Sequence, residues 1–226
     1  MEATTHPTPP PAKWALALSG IFHPLLVPSL MYVLLVLINP FLFGVRGLGE
    51  PVALKTLVML VAYTVIIPLI SVLLMRALDM VTSVMMEDRM ERIGPLLLVM
   101  IIYFWVYYNL SQSNQIPTIF SAFLLGSVLA LAVAFVVNVM DKISLHTVGM
   151  GGLTGMVLIC TLVFGGDGIE LGSWSVHLGL VLFFTVLLAG LVGTARLALG
   201  AHTHVQLYTG YLIGVLCQAV AFVFYF

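Results

Sequence analysis

One stretch of this chain, Ala195 to Gly210, reads ARLALGAHTHVQLYTG and gathers an arginine, two histidines and a glutamine within about one helix length. On a helix, residues four apart share a face, so His202 and Gln206 meet. The glutamine carbonyl can then accept from one imidazole nitrogen and leave the other aimed outward. His204, two residues from His202, points elsewhere on a helix. Two more polar clusters stand earlier in the chain: EDRMERIGP, from Glu87 to Pro95, and DKISLHT, from Asp141 to Thr147. Arg92 and Arg196 are planar, multi-donor forks that match phosphate geometry. Ser144 adds a hydroxyl donor. His146 and His202 are of the type that exchanges protons near neutral pH, and a histidine can also be a nucleophile. The chemistry these types suggest is the handling of a phosphate-like anion.

The elements that must position them are membrane helices. The 226 residues are 62% hydrophobic and 8% charged, with mean hydropathy +1.17, against about 25% charged in a soluble domain. Such a chain cannot cover a water-facing surface. Its net charge of −1 offers no basic excess for nucleic acid. Seven apolar runs have the length of bilayer spans: Trp14–Phe43, Val52–Met75, Pro95–Leu110, Ile116–Met140, Thr147–Phe164, Trp174–Leu199 and Val205–Phe226. Prolines 24, 28 and 40 break the first run, and Pro68 predicts a kink in the second. The expected fold class is all-α: a polytopic transmembrane helical bundle of six to seven membrane helices. Residues 1–13 are polar and proline-rich and are expected to form a disordered tail, with 14–226 as a single domain. Cys160 and Cys217 lie inside apolar runs and read as small buried hydrophobes.

With seven crossings, the connections after the second, fourth and sixth helices share one side with Lys13. That side holds Arg76, Arg89, Arg92, Lys142 and Arg196, and the other holds Arg46, Lys55, Asp167 and Glu170. The three polar clusters therefore fall at one mouth of the bundle. Ionisable groups close to a bilayer are costly, which makes them functional candidates. Counted whole, the charges put the crowded side in the cytoplasm. Once Arg89, Arg92, Lys142 and Arg196 are assigned to a site, the count is even and gives no orientation. Plainer roles compete for single residues. EDRMER reads equally as a solvated loop, and Arg196 as a snorkelling side chain. Gly151 with Gly155, and Gly210 with Gly214, fit small-residue helix packing. Met85, Met86 and Met90 fit apolar packing, and His23 and His177 have no evident partner.

The three clusters together resemble the type 2 phosphatidic acid phosphatase family of membrane lipid phosphatases. Its last signature, S-R-x5-H-x3-D with a glycine four residues on, is matched in spacing by Arg196, His202 and Gly210. Its second, P-S-G-H, is similar to ISLH, with Ser144 and His146 in register. Its first, K-x6-R-P, is echoed by Arg92 with Pro95 nearby. The match spans about half the chain, from Arg92 to Gly214. Met85 stands at the first-signature lysine, Ile143 and Leu145 at the proline and glycine of the second, Ala195 at the serine, and Gln206 at the aspartate.

The resemblance implies a membrane lipid-phosphate phosphatase, a hydrolase that needs no cofactor and no metal. It would act on a phosphomonoester or diphosphate head group. His202 would be the nucleophile that forms a phosphohistidine, oriented by Gln206, and His146 the general acid. Arg92, Arg196 and Ser144 would hold the phosphate, with Arg89 or Lys142 replacing the missing lysine. The partners expected are the lipid phosphate substrate and membrane lipids, with no nucleic acid. The expected location is a bacterial inner (plasma) membrane, with an extracytoplasmic site. Two other readings use the same residues. One is a non-catalytic lipid-phosphate binding or transport protein, motivated by Gln206 and Met85. The other is a metal-dependent hydrolase using His146, His202 and His204.

Overall fold

The computed structural model describes residues 12–83, 86, 88–113, 115–165, 168–171 and 174–226. Met85, Glu87 and Asp167 lie outside them, as do residues 1–11 of the expected tail. Lys13 already opens the first helix.

Among the described residues, seven helical segments are long and apolar enough to cross a membrane: Lys13–Ile38, Pro51–Ala77, Met90–Gln112, Thr118–Met140, Leu145–Val163, Leu178–Ala198 and His204–Tyr225. The molecule is an all-α polytopic bundle. Helical hydrogen bonding within each span satisfies most backbone groups, and where a span is broken a neighbouring side chain must supply the partner, as hydrocarbon requires. The outward face of the spans carries large apolar side chains such as Leu73, Phe104, Phe183, Leu187 and Val223.

The first two spans are interrupted. The first consists of α1 (Lys13–Ile21), a 3₁₀ turn at Pro24–Leu26 and α2 (Val27–Ile38). Proline disfavours helical geometry at the residue before it, and His23 is accordingly extended, with φ −63° and ψ 137°. The second span joins α3 (Pro51–Val61) to α4 (Ile67–Ala77) through a π turn at Ala62–Ile66. That turn precedes Pro68, so the irregularity expected at the proline is taken up one turn earlier.

The other spans are α5 (Ile93–Gln112), α6 (Thr118–Met140), α7 (Leu145–Val163), α8 (Leu178–Ala198) and α9 (His204–Tyr225). A short antiparallel hairpin, β1 (Gly168–Leu171) and β2 (Trp174–His177), connects α7 to α8. Residues 174–177, read as helix from their apolar run, belong to this hairpin. His177 caps α8, its Nδ1 accepting from Gly179 N–H at 3.0 Å.

α7 and α9 form the closest pair, with α6 against α9 and α8 against α7. Glycines set the approach of α7 to α9. A Cβ at Gly214 would meet the Val148 carbonyl and Gly152 nitrogen, and one at Gly151 the Tyr211 backbone. A Cβ at Gly210 would meet Thr147 Oγ1 and lie 3.0 Å from the Ser144 carbonyl. These contacts bring the start of α9 beside the start of α7. The apolar core fills the rest of the bundle around Tyr32, Phe120, Phe123, Met150 and Met156.

Candidate functional site

Three connections converge at one end of the bundle. The α4–α5 connection is stitched to the α6–α7 connection. Arg92 Nε donates to the Met86 carbonyl at 2.8 Å and its Nη1 to the Ile143 carbonyl at 3.3 Å. Arg89 donates to the Met140 carbonyl at the end of α6, and Asn138 Nδ2 donates back to the Arg89 carbonyl at 2.9 Å. Arg89 therefore closes a helix end, where carbonyls lack intrahelical partners. Arg89, expected as a substitute phosphate ligand, stands here at the same end of the bundle as the other expected ligands.

Ser144 is the N-cap of α7, yet its hydroxyl caps nothing. It is fully buried, and Oγ has no partner among the described residues. An N-cap serine normally accepts from the helix's own N–H groups, so Oγ is left as a spare hydrogen-bonding group beside the positive end of a helix. Arg196, in the last turn of α8, buries an Nε that likewise has no partner among the described residues. Its Nη1 reaches Ser19 Oγ at 3.5 Å.

His202 sits between α8 and α9 and is only 8% exposed. Its Nδ1 is 3.2 Å from Gln206 Oε1. The same oxygen accepts from Thr203 N–H at 3.2 Å, while Gln206 N–H donates to Thr203 Oγ1 at 3.4 Å. This is a capping box, a reciprocal pair that satisfies two orphan donors at a helix start. It also decides the chemistry of the ring. A backbone N–H can only donate, so its partner on Gln206 must be the oxygen. That oxygen can only accept, so Nδ1 carries the hydrogen and Nε2 keeps the lone pair. Burial pushes the His202 ring down to about 4, and the charges of Arg196, Arg92 and Lys142 press the same way against the Gln206 bond. The ring is neutral near pH 7. Of the two expected lysine substitutes, Lys142 has its charge among those acting on His202.

His146, in the first turn of α7, donates from Nε2 to the Ser19 carbonyl at 3.0 Å. Its ring meets that of His23 edge to face, with centroids 5.4 Å apart and planes at 80°. His23 Nδ1 accepts from Leu25 N–H at 3.3 Å. His204, the first residue of α9, turns outward and stacks on Tyr208 at 6.5 Å, while His202, expected on the same helix, precedes it in the connection because α9 begins only after the Thr203 cap. Among the described residues, no three His, Cys, Asp or Glu side chains are grouped to hold a metal ion.

The expected residues Arg92, Lys142, Ser144, His146, Arg196, His202 and Gln206 thus occupy one end of the bundle. The sequence reading missed Ser19 and His23, which add a fourth wall from the first span. A signal was present: a histidine followed by proline inside an apolar run breaks a helix at membrane depth, where freed polar groups must find partners.

No family model, curated protein or solved structure matches this chain.

Proposed function

We propose that this chain is a divergent member of the type 2 phosphatidic acid phosphatase family and hydrolyses a lipid phosphate. The observation that carries the reading is the state of His202: Nδ1–H held by Gln206, Nε2 unprotonated, and cations of Arg92, Arg196 and Lys142 close by. A nucleophilic imidazole surrounded by positive charge suits attack on an anionic phosphorus centre.

The substrate binds as the phosphate monoanion. Its non-bridging oxygens take hydrogen bonds from Ser144 Oγ, the spare donors of Arg196 and Arg92, and the opening N–H groups of α7. Its proton hydrogen-bonds to Nδ1 of His146. His202 Nε2 attacks phosphorus, the bond from phosphorus to the lipid oxygen breaks, and as it breaks His146 Nδ1 takes the phosphate proton and passes it to that oxygen. The product lipid alcohol leaves. Water then attacks the phosphohistidine and gives a proton to His146. The P–N bond breaks, inorganic phosphate departs, and that proton leaves with it. With a diphosphate substrate the leaving group is a lipid monophosphate. No step uses a metal ion. The proposed location is a bacterial inner membrane, with the site facing outward.

The test is phosphate release from phosphatidic acid and from an isoprenoid diphosphate in mixed micelles by purified full-length protein. His202→Ala is expected to lower kcat by at least about 10³-fold. Equal release by wild type and variant would remove the reading. A second reading rests on Gln206, whose amide orients His202 but supplies no charge to stabilise its cation. On that basis the site binds lipid phosphates without turnover. Saturable binding lost in Arg196→Ala, with no phosphate released by wild type, would favour it.

A further inference from the structure

The first span is broken beside the site, and the break frees carbonyl oxygens at the end of α1, one of which faces the site. α1 ends at Ile21, and Phe22 N–H bonds back to the Leu18 carbonyl at 3.0 Å. The next bond of that ladder would run from His23 N–H to the Ser19 carbonyl. Pro24 holds His23 extended instead, so the Ser19 carbonyl is an orphan of the helix end. His146 Nε2 fills it at 3.0 Å. A carbonyl oxygen only accepts, so Nε2 carries the hydrogen and the neutral ring has its lone pair on Nδ1.

His23 is fixed by the same break. Its Nδ1 accepts from Leu25 N–H, which places its own hydrogen on Nε2. The ring stands edge to face with His146, a favoured aromatic arrangement. Ser19 is shared as well, its hydroxyl facing Arg196 Nη1 at 3.5 Å. Lys13, at the start of α1, is the nearest charge on the same element. From the other elements Arg196 and His202 face this corner.

We propose that the His23–Pro24 break is a device that sets the tautomer of His146, with His23 as a positioning residue. The Ser19 carbonyl takes Nε2–H, the His23 ring holds the orientation, and Nδ1 is delivered to the anion. An unbroken first helix would reclaim the Ser19 carbonyl and leave His146 with two competing tautomers. The mechanistic use of Nδ1 rests on the hydrolase reading. The tautomer itself does not, and the experiment reads it separately.

Full-length protein carrying ¹⁵N-labelled histidine rings is placed in detergent micelles, and the His146 signals are assigned with His146→Gln. Wild type is expected to show one His146 tautomer, with hydrogen on Nε2. Pro24→Ala is expected to show a mixture of both. His23→Asn keeps an acceptor for Leu25 N–H but removes the ring, and is expected to broaden the His146 signals without unfolding the protein. In phosphate-release assays both variants are expected to lower kcat by about tenfold or more, with KM changed less than about twofold. Wrong-tautomer enzymes in the serine protease template lose up to about 10⁴-fold. Hydrogen on Nδ1 in wild type would overturn the proposal, as would an unchanged tautomer in a folded Pro24→Ala protein or wild-type kcat in His23→Asn. The expected tautomers without phosphate release from wild type would uphold the device and sink the hydrolase reading.

Discussion

Gln206 does two things with one oxygen: it caps α9 and fixes the hydrogen of His202. Gln206→Ala removes both. Thr203 still caps α9, so losing the Gln206 half of the capping box is expected to cost about 0.5–1.5 kcal/mol, the net worth of one hydrogen bond, and the freed imidazole to lose about 10²–10⁴-fold in kcat. Gln206→Glu keeps the reach of the capping box and adds a charge. Thermal unfolding and phosphate release on the two variants separate these effects. The neutral state of His202 sets a pH dependence. Its folded value is about 4, and an unfolded histidine titrates near 6.5. Between those values the unfolded chain binds more protons, so stability falls as pH drops from about 6.5 towards 4. The acid limb of kcat/KM is expected near pH 4, where the nucleophile protonates. A limb at pH 6 or above would contradict the burial of this ring. The spacing of His202 and Gln206 suggested a pair on one helix face, but His202 stands before α9, and it is the capping box at Thr203 that turns Gln206 Oε1 back to it. Which amide atom faces the ring was not legible. It depends on Thr203 N–H, a backbone donor whose direction exists only once α9 has begun. His23 carried a signal in its following proline, but the partner of the break it makes was not legible, for a related reason. Ser19 reaches His146 across 127 residues of chain, and no local period encodes that.

At the scale of elements, the start of α7 must meet the start of α9, and Gly210 permits it. A side chain there would strike Thr147 Oγ1 and press on the Ser144 carbonyl. Gly210→Ala is expected to cost about 1–3 kcal/mol by overpacking and to lower kcat, since Ser144 and His146 would shift from His202. Gly190, where an added methyl group would meet nothing within 4 Å, is the control. Gly190→Ala is expected to leave phosphate release unchanged and Tm equal or slightly raised, because alanine is the better helix former. Loss of activity in both variants would break the argument. The spans themselves were legible from apolar length. Their ends were less so. α5 begins with Ile93 after a 3₁₀ turn at Met90–Arg92, so the third span is longer than its apolar run and carries Arg92 into the membrane boundary. The hairpin was hidden because Trp174–His177 continues the hydrophobicity of α8, and hydrophobicity does not separate a short strand from a helix turn.

For the whole molecule, the parity of seven spans decides which connections meet. It brings the polar clusters to one end and leaves Arg46 and Lys55 at the other. Cysteine labelling reads this directly. Native Cys160 and Cys217 are buried and are expected to resist a membrane-impermeant maleimide. Thr82→Cys and Asp141→Cys, both at exposed positions, are expected to react from one side of intact cells or spheroplasts, and Gly49→Cys only from the other. Reaction of all three from the same side would refute the arrangement of spans. The side on which Thr82 and Asp141 react also gives the orientation that the charge count could not supply.

The capping box at Thr203–Gln206 has a consequence for biogenesis. α9 is the last of the seven spans to leave the ribosome, and its first turn is what orients the proposed nucleophile. Until that turn forms, Gln206 has no Thr203 N–H to orient it and His202 has no fixed hydrogen. A nascent or truncated chain would therefore hold its cationic mouth with an unarmed histidine. Insertion of this helix and readiness of the site become a single event, so a half-assembled protein lacks the arrangement on which the proposed attack depends.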